Sequence, residues 1–312
     1  MNSTLESLNS LVMIFLMIIP GIILAKTRVI GEEGSLGINS LVANLTWPCL
    51  VIDAMQLPFS TQILRDCGYS FIIMAAVFAA AYLIGRLVVR LLRMDRSQGP
   101  IFTFMLIFAN TGFMGIPVIK ALYGNRAVFY ASIVEMVNDI FLFTVGIMLI
   151  QMSAGAERKM NLKALLSPGM FGVIIGFLLF LCNVQLPGFL GKSVAMIGDA
   201  TTPLTMILIG LQIGRMPLRD LIGDLRMYLL SACKLLLIPL IVFVVMVFLL
   251  HDTSLLAKVL IMEFAMPVAS CTVIFSQQYH ADAGFATKGV LLSTVLSIAT
   301  LPVFTILLAH LG

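Results

Sequence analysis

The chain is 312 residues long, 60% hydrophobic and only 11% charged, with a mean hydropathy of +1.08, whereas an ordinary soluble domain is about 25% charged. That composition excludes a soluble enzyme, a nucleic-acid binder and a disulfide-stapled secreted module, and leaves an all-α polytopic membrane protein in contact with the lipid bilayer. The net charge of +4 reflects where Lys and Arg sit around a bilayer more than attraction to an acidic partner. Cys49, Cys67, Cys182, Cys233 and Cys271 are scattered singly through apolar sequence, so neither a zinc site nor a disulfide framework is expected, and no cofactor is implied. The N-terminus has Glu6 and no basic region ahead of its first apolar run, which argues against a cleaved signal peptide.

A bilayer core of about 30 Å needs roughly 20 apolar residues per helical crossing. Charged and Gly/Pro-rich breaks cut the chain into ten such segments, near 8–26, 36–57, 67–92, 99–123, 127–152, 168–184, 190–213, 227–250, 254–279 and 284–311. The connections after the odd segments hold Lys26, Arg28, Arg86, Arg90, Arg93, Arg96, Arg158, Lys159, Lys163, Arg215, Arg219, Arg226 and Lys288. Those after the even segments hold Arg65, Lys120, Arg126, Lys192 and Lys258. By the positive-inside rule the odd connections are cytoplasmic and both termini are extracytoplasmic.

The sequence also pairs with itself at a shift of about half its length. Asn44-Leu-Thr-Trp-Pro48 falls on Asp199-Ala-Thr-Thr-Pro203, and Tyr123, Ala127 and Phe129 fall on Tyr279, Ala283 and Phe285. Apolar sequence matches itself easily, but these matches include prolines and polar residues. Two halves, 1–156 and 157–312, each with an odd number of helices, must be inserted in opposite senses, the inverted-repeat plan of secondary transporters.

Two segments are interrupted near mid-depth. The fourth reads Phe108-Ala-Asn-Thr-Gly-Phe-Met-Gly-Ile-Pro117, and the ninth Glu263-Phe-Ala-Met-Pro267-Val-Ala-Ser. Backbone groups freed by such breaks need protein or water as partners, and paired broken helices are a sequence pointer to a transport site. Ordinary proline kinks are the competing reading, and it is the one favoured for Pro48 and Pro203, which lack flanking glycines. Gly172 and Gly176 form a G-x-x-x-G close-packing motif in the sixth segment.

The pattern Asn110-Thr-Gly-Phe-Met-Gly-Ile-Pro117, Asn138 followed by Phe141-Leu-Phe-Thr-Val-Gly146, Pro203-Leu, and Pro267 with Gln277-Gln278-Tyr279 resembles the auxin efflux carrier family along essentially the whole chain. The resemblance implies ten transmembrane helices in two inverted five-helix repeats, related to bile-acid sodium symporters, with broken, crossing fourth and ninth helices. It implies a scaffold of the first, second, sixth and seventh helices and a transport domain of the third to fifth and eighth to tenth, interleaved across both halves. The oligomeric state is left open by the sequence, a homodimer through the scaffold helices being one arrangement. The long central loop of the regulated plant carriers is replaced by a short basic connection at 153–167, which points to a bacterial inner-membrane permease for small carboxylates. After the ninth-helix proline, relatives often carry an asparagine where this chain has Ser270 and Cys271.

Ionisable side chains in a membrane are expensive and mark function by default. Glu135, Asn138 and Asp139 are spaced i, i+3, i+4 on one helical face. Either Glu135 or Asp139 carries a proton during transport, or the group is a structural hydrogen-bond cluster. Glu263, one turn before Pro267, binds a proton or Na⁺ or is structural. Asn110 and Thr111 sit at the fourth-helix break, where half-helix N-termini direct N–H groups at an anion, and capping of the half-helix is compatible with that. Asp53 is read as structural or gating. Lys234, about two turns into the eighth helix, is expected to snorkel to the interface, with anion pairing as the alternative. The substrate-binding set is thus Asn110, Thr111, Gly112, Pro117, Asn138, Pro267, Ser270 and Cys271.

An intramembrane enzyme is disfavoured. His251, His280 and His310 fall in loops or at the terminus, no H-E-x-x-H is present, and Leu186 occupies the first glycine position of the P-loop-like run ending Gly191-Lys-Ser193. The expected function is secondary transport of a small organic anion, a mono- or dicarboxylate such as malonate or malate, by an elevator-type displacement with H⁺ or Na⁺ coupling. The alternative is a cation/proton antiporter on a similar inverted fold.

Overall fold

The computed structural model describes residues 2–156, 167–215 and 224–311. Arg158, Lys159, Lys163 and Arg219, assigned above to the cytoplasmic side, lie outside the described residues, as does most of the basic connection 153–167. Every regular element among the described residues is a helix. Seven are long and apolar enough to cross a membrane: α1 (Leu5–Lys26), α2 (Glu32–Ala54), α3 (Thr61–Leu91), α6 (Asn125–Ser153), α8 (Gly188–Arg215), α9 (Leu225–Leu249) and α12 (Ala283–Ala309). The rest are shorter: α4 (Gly99–Ile107), α5 (Ile116–Tyr123), α7 (Pro168–Leu181), α10 (Leu255–Phe264) and α11 (Cys271–Gln278). The fourth and ninth apolar segments are therefore each two short helices.

The chain divides into two compact units. The first comprises Met1–Gly68, Gly112–Met136 and Leu166–Met216, the second Tyr69–Thr111, Val137–Leu165 and Pro217–Gly312.

In the first unit glycines let backbones touch. A Cβ on Gly21 of α1 would lie 2.2 Å from the carbonyl oxygen of Ile207, and one on Gly210 of α8 2.1 Å from that of Ile18. Lipid tails are as apolar as Leu, so helices in a membrane associate through such close packing instead of water exclusion. The Gly172/Gly176 motif of α7 does the same against α2: a Cβ would meet Pro48 Cα at 2.8 Å and Met55 Sδ at 2.8 Å. Gly169 lies against the Trp47 ring and Gly198 against the backbone of Leu50.

Prolines inside these helices are absorbed by a recurring device. A π-helical turn spans Val42–Thr46 ahead of Pro48, Thr111–Gly115 ahead of Pro117, and Cys233–Leu237 ahead of Pro239. In each case the wide turn ends two residues before the proline. Proline has no N–H and its ring clashes with the carbonyl one turn back, so a wider turn, with bonds such as the Trp47 N–H to the Val42 carbonyl and the Ile238 N–H to the Cys233 carbonyl, moves that carbonyl away from the ring. At Pro203 the solution differs, since the helix is interrupted at Ala200 and restarts at Thr201.

The second unit is built around two short apolar helices, α4 and α10. Residues 101–107 of α4 and 259–264 of α10 are all buried, as expected of helices that are hydrophobic on every side. Gly85 of α3 lies against Thr103, Gly146 of α6 against the rings of Phe104 and Phe108, and Gly289 of α12 against Met105. Outer faces are apolar too: Ile72, Leu83 and Leu91 of α3 are 67–72% exposed. A face of that kind suits lipid and not water.

Candidate functional site

The two helix breaks of the second unit meet. α4 stops at Ile107 because Phe108 turns extended (φ −90°, ψ 123°), and α10 stops at Phe264, ahead of Pro267. Ala109 and Val268 then pair as a single antiparallel bridge. The Asn110 N–H donates to the Pro267 carbonyl at 2.8 Å, and the Ala269 N–H to the Phe108 carbonyl at 3.1 Å. Extended backbone at membrane depth thereby finds partners inside the protein. The Asn110 side-chain amide donates to Ser270 Oγ at 3.2 Å, and Asn110 and Thr111 are buried. Thr272 Oγ1 donates to the Ala269 carbonyl at 2.6 Å.

Of the expected binding set, Asn110, Pro267 and Ser270 are in contact, with Thr111 and Cys271 their chain neighbours. Pro117 is buried in the first turn of α5. On α6, Glu135 and Asn138 are buried and Asp139 is half-buried. In the first unit the Glu135 carboxylate lies against Gly112, where a Cβ would come within 2.6 Å of its Oε1. Glu263 is buried in the last turn of α10. Asp53 accepts from Asn125 Nδ2 at 3.3 Å and is within electrostatic range of Lys120 and Asp199, themselves an ion pair at 2.6 Å.

One expectation is overturned. Lys234 does not snorkel: it is 0% exposed, and its Nζ donates to the carbonyls of Leu106 at 3.1 Å and Ile107 at 3.2 Å. Those carbonyls end α4 and have no helical N–H to accept from, because the chain beyond them is extended. The ammonium takes that place, and a cation at a helix C-terminus is electrostatically favourable. A residue absent from the expected set supports the other break: Ser293 Oγ of α12 accepts from the Val268 N–H at 3.1 Å. In the sequence it is one of several hydroxyls along a mostly apolar helix, with nothing to single it out.

Interrupted, internally paired helices within a bundle of lipid-compatible helices define a multi-pass membrane protein of the transporter class. A family described as membrane transport proteins matches residues 7–161 and 155–305, and the chain belongs to it, the family of the auxin efflux carriers. An uncharacterized transporter of Methanothermobacter thermautotrophicus is 25% identical over 308 residues, covering 99% of both chains. An uncharacterized transporter of Methanocaldococcus jannaschii is 25% identical over 280 residues, covering 86% of this chain and 88% of its own.

Proposed function

We propose that this protein is a secondary transporter of small organic anions, mono- or dicarboxylates, that binds its cargo where the two helix breaks meet and moves it by an elevator-type displacement. The observation that carries this reading is the contact between Asn110 and Ser270 across the paired breaks, which puts a buried amide and a half-buried hydroxyl beside the start of α11. Helix N-termini favour negative charge, and a site made of dipoles and neutral polar groups releases an anion more readily than a buried arginine would. The proposal includes ten crossings in two inverted repeats, a bacterial inner-membrane location with both termini extracytoplasmic, and a proton carried by Glu135 or Asp139. The cation/proton antiporter is the second reading, favoured by the same two carboxylates on one face of α6.

Purified protein in liposomes, offered labelled malonate, malate and monocarboxylates under imposed pH and Na⁺ gradients, separates the two. Carboxylate accumulation is expected, steeper under a pH gradient. Cation flux without it would establish the antiporter instead. Unaltered pH dependence after Glu135→Gln combined with Asp139→Asn would remove the proton role.

A further inference from the structure

The least expected group in the second unit is its fully buried lysine. Lys234 lies in the π-helical turn Cys233–Leu237 of α9, and among the described residues its ammonium makes no salt bridge. It binds two backbone carbonyls at the end of α4. A neutral donor would satisfy those carbonyls at far lower desolvation cost, so hydrogen bonding alone does not account for a full charge at this depth.

Its position explains the charge. The carbonyl end of a helix carries about half a negative charge and the amide end about half a positive one. Two carbonyl ends, those of α4 and α10, and two amide ends, those of α11 and of the helical turn that begins at Thr111, lie there, so the helix ends alone leave little net charge. The Lys234 ammonium covers the α4 end and tips that balance to positive. Its hydrogen bonds point it at the backbone, so it shapes the potential without touching cargo.

We propose that Lys234 makes the junction of the helix breaks select anions, by fixing a positive charge on the carbonyl end of α4 one to two residues before the extended stretch. Lys234 is thus a positioning residue that acts through the half-helix. As a statement about cargo this rests on the transport reading above; as a statement about local potential it does not.

Cys271, the first residue of α11 and the neighbour of Ser270, reports that potential without any cargo. In the full-length protein in nanodiscs, its modification by an anionic sulfonatoethyl and a cationic trimethylammonioethyl methanethiosulfonate is followed by peptide mass spectrometry. The anionic-to-cationic rate ratio is expected to fall about tenfold in Lys234→Met, the order of effect that loss of one partly screened unit charge gives, and to be kept in Lys234→Arg. An unchanged ratio in folded Lys234→Met overturns the proposal. Lys234→Gln guards against misfolding of the methionine variant, because its amide reaches the same carbonyls without charge; it should show the same fall. If both neutral variants unfold while Lys234→Arg folds, Lys234 supports the fold alone and the proposal is overturned. In liposomes, Lys234→Met should raise the KM for malonate about tenfold with little change in Vmax. A wild type that moves no malonate, together with a collapsed thiol ratio, would refute the carboxylate reading and leave Lys234 as the source of the positive potential.

Discussion

The two helix breaks are built from the same backbone pattern and completed in different ways. At the first, the α4 carbonyls are taken up by a charge from α9, Lys234. At the second, the chain closes its own end: the Ala265 N–H donates to the Ile261 carbonyl at 3.1 Å and the Met266 N–H to that of Glu263 at 3.3 Å. The residue 156 positions before Lys234 is Phe78. Its ring packs 5.7 Å from Phe264, the last residue of α10, and 5.6 Å from Phe108. The first break is thus closed by a cation and the second by its own chain, with the Phe78 ring packed against both. Two half-helix ends of like polarity do not need like caps.

The largest expected effect comes from the aromatic side of that comparison. Phe78 also contacts Phe141 at 5.2 Å, and Phe78→Ala should destabilise the protein by about 3 kcal/mol through the cavity it leaves. A lowered thermal unfolding midpoint in detergent checks this. If the break at Phe264 depends on packing and the other on charge, Phe78→Ala should leave the charge selectivity of thiol modification intact. Next comes Asn110→Ala, which deletes a side-chain hydrogen bond bridging the breaks, Asn110 to Ser270. It should cut carboxylate uptake by at least about tenfold, the loss of one to two polar interactions made with cargo, at normal expression and with a small change in stability. Full uptake in that variant would move the binding site away from the breaks.

How much of this could be read in the sequence differs between the two breaks. Asn110 to Pro117 and the surroundings of Pro267 announce interruptions because proline and glycine act on their own neighbours, and local effects are visible locally. The spacing of Glu135 and Asn138 likewise fixes a shared face whatever the fold. Sequence does not reveal how far a helix unwinds: the surroundings of Pro267 announce a break, but not that the helix stops at Phe264 and resumes only at Cys271. Lys234 was misread for a related reason. A lysine two turns into an apolar helix resembles a snorkelling one, and the carbonyls that hold it lie 127 and 128 residues away in the chain. Ser293 is hidden similarly, because a helical serine ordinarily satisfies itself on its own turn, and this one also donates to the Val290 carbonyl at 2.9 Å. Only the arrival of the Val268 N–H gives it a role.

The smallest expected effect concerns a clasp that links the supports of the two breaks. Gln98, just before α4, donates to Asp282 Oδ2 at 2.9 Å, and Asp282 caps α12, the helix of Ser293, by accepting from the Phe285 N–H at 2.8 Å. Gln98 also accepts from Arg226 of α9, the helix of Lys234, at 2.6 Å, and Arg226 pairs with Asp224 at 2.9 Å. The hydrogen bond from Arg226 holds the Asp224 carboxyl below its ordinary range. A carboxylate with a depressed folded-state pKa adds stability that is present above its unfolded value, about 3.9, and is lost as pH falls through the folded one. Asp224→Asn should therefore cost only a few tenths of a kcal/mol at neutral pH, since the pair is partly exposed and screened by salt, and the difference from wild type should vanish in acid. Unfolding midpoints at pH 7 and pH 3 in low salt measure it. An effect on uptake larger than that on stability would mean that the α4 and α12 supports move together during transport, and that the two breaks, though capped differently, shift as one.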